Sequence, residues 1–303
     1  MLEKQGILSR DVPVVRVFTV GQAPVGGNPA PVWLDADGLA GDDMQALAKA
    51  SGREMVFVCA PQSPAHRWRM RYFVPRHEME MCGHATLAAL WLLHGRGDWD
   101  GGPAAIDTLG GTVQARKDDQ WIQISQPPAA IQAVDDRYRQ AIADCLGLAG
   151  EQILGPILNA STSRPKTLIR LPHAEALHAL QVRADEVEAL CERIGSTGLY
   201  PFAMREGSPA ACSARQFPKS SGYVEDPATG IAATALAWSL RHLALLDGAA
   251  RRVGIDQGEA MGSPSRIVVS LPAEEDGPQA PCWVGGNAVL DGEERLSLPG
   301  RKP

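Results

Sequence analysis

The sequence predicts an α+β protein of two similar domains, each with strands wrapped around one central apolar helix. Three observations predict this fold class. The chain has 303 residues, and domains commonly contain about 100–200 residues, so the length favours two. Strand-like and helix-like segments alternate along the chain. Each half also contains one helix-like segment that is apolar on nearly every side, and such a helix is buried.

The elements of the first half follow from local patterns. A helix is predicted at 42–52, because this segment has an acidic first turn, apolar residues at helical spacing and a terminal glycine. A turn is predicted over the Gly-Gly-Asn-Pro-Ala segment at 26–30. Strands are predicted where β-branched and apolar residues cluster between turn signals, at 14–20, 31–35 and 55–60. Glu54 then lies between a helix and a strand.

The second half begins after a change in composition. Two prolines and several small residues at 124–137 interrupt the regular pattern, so the domains are predicted to be 1–128 and 129–303, and the last residues could pack back on the first domain. Helices are predicted around 136–147 and at 184–195. Strands are predicted at 167–171, 200–204, 265–272 and 282–290.

An internal repeat supports the two-domain prediction. Segments 81–95 and 228–248 align at Gly83 and Gly230. Each has a polar lead-in, a small nucleophile-type residue (Cys82 or Thr229), a glycine and then an apolar helix closed by a glycine. The first N–H groups of a helix have no intrahelical partner and lie at the positive end of its dipole. Two such helix starts facing one another across a cleft would hold an anionic substrate.

Composition and charge argue against several classes of function. The net charge is −6 with acids and bases interspersed, so neither nucleic acid nor an anionic membrane is an expected partner. The N-terminus lacks the features of a secretory signal and no apolar run reaches about 18 residues, so a cytoplasmic location is expected. The six cysteines show no zinc-like spacing, and phosphate-loop, dinucleotide and pyridoxal signatures are absent from the sequence. Neither a metal nor a cofactor is therefore expected.

Six motifs occur in a characteristic order along essentially the whole chain. They are GGNPAPV, REMVFV, RYFVPRHEMEMCGHATLA, GYVEDPATGIA, DQGEAMGSPSRI and VGGNAVL. Together they resemble the PhzF family of phenazine-biosynthesis-like isomerases, which is related to the diaminopimelate epimerase and proline racemase fold. The resemblance implies a barrel-like sheet around the central helix of each domain, an active site in the cleft between the domains, and a homodimer. It also implies cofactor-free proton transfer between carbons, as in the isomerisation of trans-2,3-dihydro-3-hydroxyanthranilate.

The resemblance assigns catalytic roles to Glu54, His84 and Asp226. Glu54 corresponds to the family's catalytic glutamate, and a partly desolvated carboxylate suits a base that later returns its proton. Without the resemblance, Glu54 would be interpreted as a surface residue at a turn. His84 either satisfies backbone groups at the helix start or donates to the substrate and relays a proton. Asp226 either caps the second helix or relays a proton.

Further residues are expected to bind a small anionic carboxylate substrate. Asn28 is either a turn residue or a side-chain donor in the cleft. The helix starts would supply backbone N–H groups, and small side chains beside them would line the pocket. The substrate-binding candidates are Asn28, Cys82, Gly83, Thr229, Gly230 and Ile231.

Two main rival functions remain open, and a third is weaker. A two-base racemase or epimerase of this fold needs a thiol on each side of the substrate carbon, but the counterpart of Cys82 is Thr229, whose hydroxyl is too weak an acid and base. A cysteine nucleophile beside His84 is a weaker interpretation still, because no third orienting group is evident. The other rival is a non-catalytic protein that binds a small molecule on this scaffold.

The chain departs from the family pattern at a few positions, which leaves the exact substrate open. Arg16 stands where relatives often have aspartate, and Gly52 and Arg53 precede Glu54 where serine is common. Ser263 replaces a frequent arginine.

Overall fold

The computed structural model describes residues 9–118, 120–220, 223–246 and 250–298, which divide into two compact units. Unit 1 contains the described residues of 9–24, 28–124 and 287–298. Unit 2 contains those of 25–27 and 125–286.

The described residues form a mixed α/β structure. Its strands, in chain order, are β1 (Ser9–Thr19), β2 (Asn28–Trp33), β3 (Met55–Cys59), β4 (Trp68–Phe73), β5 (Glu78–Met79), β6 (Ala104–Thr108), β7 (Gly111–Lys117), β8 (Ile122–Gln126), β9 (Ala130–Ala133), β10 (Leu154–Ser161), β11 (Pro165–Leu171), β12 (Gly198–Arg205), β13 (Ser208–Ala214), β14 (Phe217–Pro218), β15 (Arg252–Gln257), β16 (Ser265–Ser270), β17 (Cys282–Gly285) and β18 (Asn287–Ser297). Its α-helices are α1 (Gly41–Ser51), α2 (Gly83–Gly95), α3 (Arg139–Leu146), α4 (Ala174–His178), α5 (Ala184–Ile194) and α6 (Gly230–His242).

The two units pair their strands in the same pattern. In unit 1 the order of neighbouring strands is β18-β1-β2-β3-β4-β6-β7-β8. In unit 2 it is β9-β10-β11-β12-β13-β15-β16-β17. In both series the successive pairs are antiparallel, antiparallel, parallel, antiparallel, parallel, antiparallel and antiparallel. The repeat recognised in the two apolar helices therefore extends to the strand pairing of both units.

The central helices α2 and α6 are equivalent in these two topologies. Each is 13 residues long, begins at the aligned glycine, and is preceded by a residue in extended conformation, Cys82 or Thr229. Helix α2 packs on β1, β2 and β3, and helix α6 packs on β10, β16 and β17. Because α6 contacts strands near both ends of its sheet, that sheet curves around it. The predicted α+β fold with a buried helix in each half is confirmed.

The local predictions hold closely at the helix ends. Helices α1, α3 and α5 all end at a glycine with a positive φ, at Gly52, Gly147 and Gly195, as the terminal glycines predict. Helix α6 ends at His242, short of the predicted end at Gly248, which lies outside the described residues.

The predicted turn at 26–30 is too long, because β2 already begins at Asn28. Only Gly26 and Gly27 have a positive φ there. A Cβ atom at Gly26 would lie 1.8 Å from the carbonyl oxygen of Pro264, so glycine is required at this close approach within unit 2.

Strand β9 falls in the segment predicted to be irregular. Its four residues are largely exposed and pair with β10, so no alternation of buried and exposed positions reveals it. In the part of the chain that the structure describes, no helix is long and apolar enough to cross a membrane.

Candidate active site

Glu54, Cys82 and His84 come together in unit 1 and are called the Glu54 cluster below. Glu54 occupies the short link between the left-handed Gly52 that ends α1 and the strand β3, whose five residues are all buried. Cys82 and His84 flank the glycine that begins α2. A buried strand and a buried helix thus fix the backbone of all three residues.

The side chains of the Glu54 cluster are in mutual contact. The Cys82 Sγ atom lies 3.2 Å from Glu54 Oε2, to which the thiol donates, and 3.4 Å from His84 Nδ1. His84 Nε2 lies 3.7 Å from the same Glu54 oxygen. The sequence interpretation that no third group accompanies Cys82 and His84 is therefore wrong, because Glu54, which precedes Cys82 by 28 residues, contacts both.

The side chains of the Glu54 cluster differ in their exposure to solvent. The side chain of His84 is 9% exposed, whereas that of Glu54 is 26% exposed. Burial lowers the pKa of His84, and the charge of Glu54 opposes this shift without cancelling it. A neutral imidazole therefore lies behind a partly exposed carboxylate.

A hydrogen-bonded chain holds the backbone of Cys82. The hydroxyl of Thr86 donates to the Cys82 carbonyl at 2.7 Å and is paired with the hydroxyl of Tyr72, also at 2.7 Å. Tyr72 is fully buried in β4, and burial raises the pKa of its phenol, so this group stays protonated and neutral. The start of α2 is thereby anchored to the sheet of unit 1.

A second polar group lies at the start of α6 in unit 2. The Thr229 hydroxyl donates to the Asp226 carboxylate, three residues earlier. Gln257 on β15 donates to the Asp226 carbonyl at 2.7 Å, and its side-chain oxygen accepts from the Tyr200 hydroxyl at 2.9 Å. Thr229 is the N-cap residue of α6, and its hydroxyl links the Asp226 carboxylate to the start of this helix.

The loop before α6 is held by further contacts within unit 2. Glu225 forms a bidentate ion pair with Arg215 at 2.9 and 2.7 Å, and both side chains are nearly buried. The hydroxyl of Ser265 donates to the Pro227 carbonyl at 2.9 Å. Glu225 is therefore engaged in supporting the turn before α6.

Gln257, Arg215 and Lys166 also lie in this region and are not among the residues predicted from the sequence. Gln257 lies inside the quoted DQGEAMGSPSRI motif, and that motif was the available signal. Lys166 on β11 is buried, with its Nζ atom 3.4 Å from the Thr197 carbonyl. Burial and, less strongly, the charge of Arg164 lower the pKa of Lys166 to about 8, against the opposing effect of Asp226.

The remaining candidates take separate places. Asn28 is the first residue of β2 in unit 1, opposite Val17. Gly230 and Ile231 are the half-buried first residues of α6 in unit 2. Gly83, half-buried, begins α2, and a Cβ atom there would meet only Ile124 Cδ1, at an ordinary 3.8 Å.

Two residues that depart from the family pattern make defined contacts. Arg16, in the place of an aspartate, forms an ion pair with Asp291 at 2.9 Å. The hydroxyl of Ser263, in the place of an arginine, lies 3.4 Å from the Gly27 carbonyl and donates to it. Arg53 is exposed, and nothing in the structure explains its presence beside Glu54.

Comparisons with known proteins agree along most of the chain. A family profile described as phenazine biosynthesis-like protein matches residues 15–293. The chain is 32% identical over 289 residues to an uncharacterized isomerase, YddE, of Escherichia coli (strain K12), covering 91% of this chain and 95% of that protein. It is also 32% identical over 281 residues to the trans-2,3-dihydro-3-hydroxyanthranilate isomerase of Pseudomonas aeruginosa, with the same coverage of 91% and 95%.

A solved structure supports the fold. A PhzF-family phenazine biosynthesis protein of Bacillus anthracis matches with a TM-score of 0.83 and 23% identity, covering 95% of this chain and 98% of that chain. At this level of identity the likeness shows a shared fold.

Proposed function

The chain belongs to the family of phenazine biosynthesis-like proteins and is an isomerase, and we propose that it moves a carbon-bound proton on a small carboxylated metabolite. The observation that carries this proposal is the Glu54 cluster, in which a reachable carboxylate contacts a thiol and a neutral imidazole at the start of a buried helix. The named activity of the Pseudomonas aeruginosa relative supports a substrate that resembles a dihydro-hydroxyanthranilate.

Glu54 is the general acid/base in the proposed reaction. Its carboxylate takes the proton from a substrate carbon, and the electron pair of that C–H bond moves into the neighbouring unsaturated system. The resulting carboxylic acid returns the same proton to a different carbon, which restores the carboxylate and shifts the double bond. A carboxylate that contacts a thiol at 3.2 Å and lies beside a buried ring is held in one orientation for both steps.

The other polar groups position the reactants in this proposal. Neutral His84 and the Cys82 thiol orient the Glu54 carboxylate and exchange hydrogen bonds with it as its charge changes. Within unit 1, the first-turn N–H groups of α2 at Gly83 bind substrate carboxylate oxygens. Asp226 fixes the hydroxyl of Thr229 beside the start of α6.

The structure disfavours racemisation by two thiols. Cys82 and Thr229 occupy equivalent positions before α2 and α6, and both are extended. The Thr229 hydroxyl is bound to the Asp226 carboxylate, and a hydroxyl cannot replace a thiolate as a base near neutral pH. One-carboxylate proton transfer therefore has the stronger support.

The test is proton NMR in heavy water with the purified protein. The substrates are dihydro-hydroxyanthranilate and a panel of amino and cyclic carboxylic acids. We expect the wild type to isomerise one of these or to incorporate deuterium at one of its carbons. Glu54→Gln should lower this rate by at least about 100-fold, because general acid/base catalysis commonly contributes that much.

The matched control is Glu188→Gln, at an exposed position of α5, which should keep the wild-type rate. Exchange that survives in Glu54→Gln would move the base to another residue. A panel member that binds to the wild type and never exchanges a proton would favour the non-catalytic binding protein.

A further inference from the structure

The Glu54 cluster combines three kinds of metal ligand. Among the described residues, the donor atoms of Glu54, Cys82 and His84 all lie within 4.8 Å of one another. Thiolate, imidazole and carboxylate are the groups that bind Zn²⁺ in proteins, and three protein ligands with one open position are typical of reactive zinc sites. The sequence spacing does not predict such a site, because Glu54 precedes Cys82 by 28 residues.

The distances match the demands of a tetrahedral ion. With Zn–S near 2.3 Å and Zn–N and Zn–O of about 2.0–2.1 Å, tetrahedral geometry places sulfur about 3.5 Å from the nitrogen and oxygen ligands, which are about 3.3 Å apart. The corresponding separations are 3.2 Å from Cys82 Sγ to Glu54 Oε2, 4.0 Å from Cys82 Sγ to His84 Nε2, and 3.7 Å from His84 Nε2 to Glu54 Oε2. Each side of the triangle is within about half an ångström of the ideal value, which small side-chain rotations can supply.

The backbone around the Glu54 cluster is fixed, as a preformed metal site requires. Cys82 is held through its carbonyl by Thr86, and Glu54 directly precedes a fully buried strand. Glu54 is also the most exposed of the three side chains, so it leaves an open side for an entering ion. The ion would replace the hydrogen bond between Cys82 and Glu54 with two bonds to the metal.

We propose that Glu54, Cys82 and His84 form a binding site for Zn²⁺ or a similar thiophilic divalent cation, and that occupation of this site inhibits the isomerase. Binding releases the Cys82 proton to solvent, and sulfur, nitrogen and oxygen each share an electron pair with the ion. No oxidation or reduction is involved. The inhibitory effect rests on the proposed function, because the ion takes the carboxylate oxygen that would otherwise accept the substrate proton.

The binding site can be tested without any substrate. The full-length protein is treated with a chelator, freed of it, and titrated with Co²⁺, whose sulfur-to-cobalt charge-transfer absorption reports a thiolate ligand. We expect one equivalent of Co²⁺ to produce this absorption in the wild type and Zn²⁺ to displace it. Cys82→Ser should abolish the absorption and weaken binding by about 100-fold or more, since loss of a mere supporting group already costs up to that factor.

Two further variants complete the binding experiment. Glu54→Gln should keep the charge-transfer absorption but weaken binding, because the thiolate ligand remains and the charged oxygen ligand is lost. The matched control is Cys59→Ala, which removes another buried thiol of unit 1 and should bind Co²⁺ as the wild type does. Thermal unfolding of each variant establishes that it is folded. Absence of the absorption in the wild type, or its persistence in a folded Cys82→Ser protein, would overturn the site.

Inhibition is measured separately. In the heavy-water exchange assay, Zn²⁺ should stop proton exchange by the wild type, and a chelator should restore it. Exchange unaffected by Zn²⁺ at a concentration that saturates the site would overturn the inhibitory role. A protein that binds Co²⁺ but exchanges no proton would contradict the proposed function and support the metal site. A protein that exchanges a proton but does not bind Co²⁺ would support the proposed function and overturn the metal site.

Discussion

Gln257 shows how one residue organises the polar group at the start of α6. It is fully buried on β15, donates to the Asp226 carbonyl and accepts from the Tyr200 hydroxyl. Its side chain also lies 3.3 Å from the Thr229 hydroxyl oxygen. A single amide therefore connects the Asp226–Thr229 segment to the core of unit 2.

Replacing Gln257 should lower the free energy of unfolding, because it leaves a buried hydroxyl without its partner. Gln257→Leu removes the partner of the buried Tyr200 hydroxyl, and an unsatisfied buried polar group costs about 1–3 kcal/mol. We expect the free energy of unfolding, measured with urea, to fall by this amount. Adding Tyr200→Phe removes the orphaned hydroxyl and should restore part of the loss, so the two changes will be non-additive. Strict additivity would mean that the two side chains do not interact.

Lys166 makes the stability of unit 2 depend on pH. Burial lowers its folded-state pKa to about 8, whereas its unfolded value is about 10.5. Between these values the unfolded state holds the proton and the folded state does not, so stability rises as the pH rises from about 8 to about 10.5. Below about pH 8 both states are protonated, and this contribution stays at its least favourable value.

The prediction for Lys166 concerns the difference in unfolding free energy between the wild type and Lys166→Met. Relative to Lys166→Met, the wild type should gain up to about 3 kcal/mol of unfolding free energy between pH 8 and pH 10.5, from the shift of the pKa. Urea unfolding at several pH values gives this difference, and the variant cancels the effects of the other titrating groups. A difference that is constant across this range would show that Lys166 is ordinarily solvated.

At the scale of elements, three helix ends depend on a left-handed glycine. Gly147 and Gly195 form a matched pair, with φ of 71° and 67°. A Cβ atom at Gly147 would lie 2.7 Å from the Gln181 carbonyl oxygen, whereas a Cβ atom at Gly195 would meet nothing within 4 Å. A substitution at Gly195 therefore tests backbone strain alone, whereas one at Gly147 adds a steric collision.

Alanine at these two glycines should destabilise the protein by different amounts. Gly195→Ala should cost about 1–2 kcal/mol, because a residue with a Cβ is strained in this conformation. Gly147→Ala should cost more, because the chain at Gln181 must also move. Thermal or urea unfolding of both variants checks this order, and equal costs would argue against the collision.

The same elements show what the sequence could reveal. The ends of α1, α3 and α5 were predicted within a residue or two because helix termini are marked by local signals such as these glycines. Strand β9 was missed because its pairing with β10 depends on residues far away in the chain. The motifs located Glu54, Cys82 and His84, but the contact that joins them spans 28 residues and is a property of the folded chain.

At the scale of the whole molecule, buried cysteines occur in both units. All six are free and buried. Burial raises the pKa of most of these thiols, which keeps them in the unreactive protonated form. The affected residues are Cys59, Cys145, Cys191, Cys212 and Cys282, with values of about 11 for Cys145, Cys191 and Cys282 and about 12 for Cys212.

These five thiols should react only when the chain unfolds. We expect a maleimide or disulfide reagent at pH 8 to leave them unmodified in the native protein and to modify all of them in denaturant. Peptide mass spectrometry after a timed reaction identifies each site, and the chelator-treated protein is used so that no bound ion protects Cys82. Rapid native labelling of Cys145 or Cys212 would show that its unit opens without global unfolding.

The shared order of strand pairing has an evolutionary consequence. Two halves with the same topology and the same helix start are what duplication of an ancestral gene segment leaves behind. Comparing the halves then separates what the scaffold requires from what selection changed. Both halves have a glycine at the helix start and a residue in extended conformation before it. That residue is Cys82 in the first half and Thr229 at the aligned position of the second half. The backbone conformation at the helix start is therefore common to both halves, and the side chain before the glycine is what differs.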